Sequence, residues 1–262
     1  MEVHAHSHTA RKKWTHYFWE FLMLFLAVFC GFLAEYQLEH KIEKDREKQF
    51  IETMVEDLKT DTSKLNSLIR MRKNRIRELD TLFSLIANDE YIINGKKVYE
   101  LYDLPYWDVL RFFPSDRTMQ QLKNGGNLRL IRKMNVSNAI IKYDVLVRTL
   151  KEYEALQTEL ANQFNQHVEK LFDPVILNEA KMPYRNKQLD TDSVIQRVGI
   201  LGRDNLPANI EMQTLTAADK KIFLKYIYQV KTIYLALRRD NILERELAEV
   251  THALIIKEYH LN

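Results

Sequence analysis

The chain has 262 residues, a near-balanced charge (39 Lys+Arg against 36 Asp+Glu, formally +3) and a single cysteine, Cys30. That balance gives no ground for a nucleic-acid partner, and one cysteine excludes a disulfide framework while leaving the redox compartment open. The length allows one large or two small domains, and only 6 Gly and 5 Pro favour long uninterrupted elements. No catalytic constellation stands out, so the expectation is a protein that is not an enzyme and carries no cofactor.

Residues 1–13 read as a flexible tail. Within it, "VHAHSH" places His4, His6 and His8 at alternate positions. Neutral imidazoles so spaced can chelate Zn, Cu or Ni. Three histidines without a fixed scaffold make a poor selective site, so the metal reading stands second to a weakly specific tail.

Residues 14–38 are expected to be a transmembrane anchor. Phe21–Ala34 is free of charge, but at 1.5 Å per residue it covers roughly 21 Å, less than the ~30 Å hydrocarbon core. The flanks extend it: Trp14, Tyr17, Phe18 and Trp19 precede the run and Tyr36 follows it. Aromatic rings at both ends suit the two headgroup interfaces, and Trp14–Leu38 reaches about 36 Å. "GFLAE" puts Phe32 where a cleavage site needs a small residue, so the segment is read as uncleaved. Arg11, Lys12 and Lys13 before the span resemble a signal anchor, which would leave the bulk of the chain periplasmic in a bacterial inner membrane. Lys41, Lys44, Arg46 and Lys48 on the other side nearly balance them.

On a helical wheel Glu20, Leu24, Ala27, Gly31 and Glu35 fall within about 80° of arc, with Ala34 beside them. Ala27-x-x-x-Gly31 is a small-xxx-small pattern that lets helix backbones approach closely. Glu20, Ala27, Gly31, Ala34 and Glu35 are therefore read as a helix-interface face. The plainer alternative is that the acids mark headgroup depth. The partners expected are membrane lipid and either a second copy or a larger membrane complex, with no nucleic acid.

Residues 39–262 are expected to form an all-α domain, in which the anchor continues into an elongated bundle of three long helices plus short ones. The first long helix carries a 4,3-spaced seam: Ile51, Val55, Leu58, Thr62, Leu65, Ile69, Arg72, Ile76, Leu79, Phe83, Ile86. Nine of the eleven are apolar, as in a coiled coil or bundle, and the stalk should end near Ala87–Asn88. "RMRKNRIRE" at 70–78 has no interleaved aromatics to stack on bases, so it reads as a solvated face. Asn94-Gly95 signals a turn. "PYWDVLRFF" (105–113) and "SDRTMQQLKNGG" (115–126) read as short helices, with Ser115 the N-cap and Gly125 the C′ residue of the second. The aromatic group Tyr99, Tyr102, Tyr106, Trp107, Phe112 and Phe113 reads as a packed cap over a bundle end, or less readily as a ligand pocket.

The second long helix is predicted over Asn135–Phe172, with Val136, Ile140, Tyr143, Val147, Leu150 and Tyr153 opening its apolar face. Residues 178–215 read as loop with a short helix near 190–198. The third helix opens at "TAAD", Thr216 to Asp219, close to a capping box. Its face is Phe223, Ile227, Val230, Tyr234 and Leu237, then, after a skip at Arg238–Asn241, Leu243, Leu247, Val250 and Leu254. Glu249-x-x-His252 is half of a di-metal motif with no second half on another long helix, and "NGGN" (124–127) lacks the context of a phosphate loop.

Three stretches, "FWEFLMLFLAVFCGFLAE", "FIETMVEDLKTD" (50–61) and "LKNGGNLRLI" (122–131), resemble a bacterial family of N-terminally membrane-anchored helical proteins, a domain of unknown function. Gly125 stands where that family usually has Ser. The resemblance covers about the first half of the chain. It implies membrane attachment and a helical fold, and it brings no activity or functional residues. The expected function is thus a non-enzymatic single-pass membrane protein that self-associates or serves as an accessory or scaffold subunit. The alternative is a membrane-anchored sensor or metal-handling protein using the His-bearing tail.

Overall fold

The computed structural model describes residues 14–102, 111–168, 171, 173, 175–176 and 206–261. They are helical, with no strand among them. In chain order, α1 runs Trp14–Ala87, α2 Gly95–Tyr102, α3 Arg117–Asn124, a 3₁₀ turn Asn127–Leu130, α4 Met134–Val168 and α5 Ala217–Tyr259. The chain divides into two units, Met1–Glu52 and Thr53–Asn262.

In the first unit α1 is one helix long and apolar enough to cross a membrane, and none of its most apolar window is buried. Trp19, Phe25 and Phe32 are exposed. Phe21, Phe25 and Phe29 stack along one side at i, i+4 spacing, with centroids 6.3 and 5.9 Å apart. The tail, with His4, His6 and His8, lies outside the described residues, as do residues 103–110 with Tyr106 and Trp107, and the helix expected near 190–198.

In the second unit α1 ends at Ala87, where Asp89 adopts a left-handed backbone (φ 60°), a conformation Asp tolerates better than most residues. The turn then leads into α2 at Gly95. There a Cβ would lie 2.1 Å from the Ile210 carbonyl oxygen, so only glycine fits. Asp116, not Ser115, precedes α3, because the Ser115 amide is turned to Asp61 instead, at 2.7 Å. Gly126, not Gly125, takes the left-handed position after α3, with φ 60°. Residues 111–113 are not helical. Before α5, Thr216 Oγ1 accepts from the Asp219 amide (3.1 Å) and donates to the Asp219 carboxylate (2.7 Å), the expected cap with Asp in the acid's place. His260, left-handed at φ 51°, closes α5.

α4 packs along α5, and α1 from Thr53 onward is tied to both. Asp80 pairs with Lys231, and Arg245 donates to Asn66 at 3.3 Å. Leu65, Leu79 and Ile86 of α1 share one core with Val98, Tyr99, Ile227 and Tyr234. Two tyrosines place rings in this core and keep a hydroxyl for backbone: Tyr91 accepts from the Leu215 amide and Tyr99 from the Asp173 amide, at 2.8 and 2.7 Å.

The seam of α1 differs from the expected one. Leu58, Leu65, Arg72, Leu79 and Ile86 are inside as predicted. The alternate positions shift by one residue, to Met54, Asp61, Leu68 and Leu82 in place of Val55, Thr62, Ile76 and Phe83. Phe83 is 37 % exposed and Leu82 3 %. Both registers keep heptad spacing. The one that looks more apolar loses because Asp61 finds buried partners. The same error recurs on α5, where the inward row continues without a skip through Asn241, Glu244, Ala248, Thr251 and Ile255. Leu243 and Val250 face out, 50 and 64 % exposed.

Candidate functional site

The misplaced residues meet one another. On α1, Asp57, Asp61 and Arg72 are buried; on α4, Tyr143 and Glu154; on α5, Asn241 and Glu244. Expecting 70–78 to be a solvated face therefore fails at Arg72, which is 0 % exposed. Its register position, inside the seam, was the better guide than its charge. Arg72 donates to Glu154 Oε1 at 2.7 Å across 82 residues of sequence. Burial drives the Arg72 guanidinium down and the Glu154 carboxyl up, each against the pull of the other.

Three of the buried carboxylates hold the backbone of one connecting segment. Glu154 accepts from the Phe112 amide (3.3 Å), Asp61 from the Ser115 amide (2.7 Å) and Asp57 from the Thr118 amide (3.1 Å). Lys64 adds bonds to the Phe113 carbonyl and the Ser115 hydroxyl, at 3.1 and 3.0 Å. Asp61 also takes the Tyr143 hydroxyl at 2.8 Å. Burial raises the Asp61 carboxyl, and the Ser115 amide and Tyr143 hydroxyl oppose it. Burial and the adjacent Asp61 push the Tyr143 phenol far up, so it stays protonated and donates.

Glu244 is the exception. It is 1 % exposed. One oxygen accepts from Asn241 at 3.2 Å, and the other, Oε1, has no hydrogen-bond partner among the described residues. Burial, with the nearby Glu154 and Asp61, pushes its carboxyl up to about 8, against the Asn241 bond and Arg72. The hydroxyls of Thr118 and Thr251 and the Asn241 carbonyl are likewise unpaired among the described residues.

Two hollows adjoin this network. A cleft of about 390 Å³, counting its mouth, lies among Met54, Asp57, Leu58, Asp61, Pro114, Ser115, Met119, Ile140, Tyr143 and Val147, with Asp116 and Asp144 at its edge. A smaller one of about 220 Å³ lies among Phe112, Pro114, Val147, Leu150, Lys151, Glu154 and Glu244. Pro114 and Val147 border both. Apolar walls with a few convergent polar groups are the ordinary composition of a ligand site. No histidine or cysteine belongs to either lining. Of the aromatic cap expected from the sequence, Tyr99 and Phe112 are buried and Phe113 is exposed.

No group of His, Cys, Asp and Glu able to hold a metal occurs among the described residues. Glu249 instead lies beside Arg245, at 3.6 Å. The expected interface residues Glu20, Ala27, Gly31, Ala34 and Glu35 are all exposed on α1. Glu20 pairs with His16 at 3.1 Å, and a Cβ added at Gly31 would meet nothing within 4 Å. Compared with protein-family models, curated proteins and solved structures, the chain matches none, and the reading of its sites rests on their geometry.

Proposed function

We propose that the chain is a non-enzymatic, single-pass protein of a bacterial inner membrane. Its helical bundle domain serves as an accessory or scaffold module on the periplasmic side. Self-association, or docking on a larger membrane complex, uses the α1 face of Glu20, Ala27, Gly31, Ala34 and Glu35. The observation that carries this reading is the apolar stretch of α1, which no part of the chain covers among the described residues. Lipid tails cover such a stretch at no cost, whereas water does not. A Gly–Ala stripe with acids at its two ends allows close backbone approach at mid-span and leaves the charges near the headgroups.

The test has two parts. The protein should stay in the membrane fraction after alkaline extraction; release into the soluble fraction would sink the anchor. Gly31→Ile should then weaken crosslinked assemblies in detergent by about 1–2 kcal/mol, while Phe25→Ile on another side of the helix should not. Because nothing surrounds Gly31 within the chain, a loss cannot come from misfolding of the monomer. Equal yields for both variants and the unmodified chain would refute the interface.

A further inference from the structure

The interior of the second unit carries more negative than positive side chains, and one of its carboxylates has an oxygen that the described residues leave unused. Asp57, Asp61, Glu154 and Glu244 are buried, against Arg72. Arg72 is held on Glu154 at 2.7 Å. Glu244 Oε1 borders the smaller hollow, unpartnered among the described residues and 1 % exposed as a residue. The rest of that wall is Phe112, Pro114, Val147 and Leu150, with Lys151 at an exposed rim.

We propose that this hollow, continued past Pro114 and Val147 into the Asp61 cleft, binds a small organic cation: a primary ammonium bearing a short unbranched hydrocarbon chain. The ammonium supplies the hydrogen-bond donor and the positive charge that Glu244 lacks. The hydrocarbon chain lies against Val147, Leu150, Pro114 and Ile140, which an inorganic cation would leave in contact with water. An inorganic ion is also a poor fit because the described residues hold no cluster of oxygen ligands for one. The raised Glu244 carboxyl agrees with this: without a cation it holds a proton at neutral pH. Binding exchanges that proton for the ammonium, and the proton leaves to buffer. The site is independent of the proposed role of the α1 face, so either can fail alone.

The experiment titrates full-length protein in detergent with n-butylammonium chloride at neutral pH, followed by calorimetry in two buffers of different ionisation enthalpy. Saturable binding with release of about one proton per site is expected. Glu244→Gln, which retains an acceptor for Asn241, should weaken it at least about tenfold, and Asp61→Asn should weaken it less. Lys151→Met removes the rim charge and should tighten it. Sodium chloride at equal ionic strength and n-butanol should each give no saturable signal. Equal binding by Glu244→Gln, equal effects of sodium, or no saturation at all would overturn the proposal.

Discussion

Replacing Arg72 by Met removes the only cation held directly on Glu154 at 2.7 Å, at a site where the two side chains are 0 and 7 % exposed. Methionine fills much of the same volume, so the cost is mainly electrostatic. Glu154 would keep the Phe112 amide at 3.3 Å and lose its charge partner. Breaking one side of a buried pair costs about 3–5 kcal/mol. For a chain of this size each kcal/mol lowers the unfolding midpoint by about 2–4 °C, so a fall of roughly 10 °C is expected. Adding Glu154→Gln removes the stranded charge and keeps an acceptor for Phe112. The double variant should therefore recover most of the loss, instead of adding a second one. The assay is thermal unfolding of full-length protein in detergent, followed by circular dichroism at 222 nm. The penalty of Arg72→Met alone should shrink on acidification, as Glu154 takes a proton. A single variant within about 1 kcal/mol of the unmodified chain, or penalties that simply add, would refute a desolvated, interdependent pair.

Glu244 should set a second pH dependence. Its carboxyl is raised from 4.5 to about 8 on folding, so the folded state binds the extra proton. Stability is then full below 4.5 and falls as pH rises through about 8, by up to about 5 kcal/mol from the difference 8 − 4.5 at about 1.4 kcal/mol per pH unit. Glu244→Gln should match the unmodified chain near pH 5 and exceed it near pH 9; parallel profiles would refute a buried neutral carboxyl. The register of α1 can be checked by truncation: Leu82→Ala should cost about 2–5 kcal/mol and Phe83→Ala about 1 or less, and the reverse order would restore the other seam.

Sequence periodicity alone determined that this chain is helical, where its long helices lie, and that one stretch near the N-terminus is fit to enter lipid. These are local properties. A span such as Phe21–Ala34 has no charges to solvate, Thr216 and Asp219 cap their own turn, and no glycine or proline interrupts 32–94. Which row of each helix faces inward was not local. On α1 two rows one residue apart both keep heptad spacing, and on α5 Leu243 and Val250 look more like core than Asn241 and Glu244. The apolar choice failed because burial of Asp61, Arg72, Glu154 and Glu244 depends on groups far away in sequence, such as Tyr143 for Asp61 and the Phe112 amide for Glu154. A carboxylate in water and a carboxylate holding a backbone amide in the core look identical as letters. Only tertiary structure supplies the partners that offset desolvation, and with them the hollow beside Glu244.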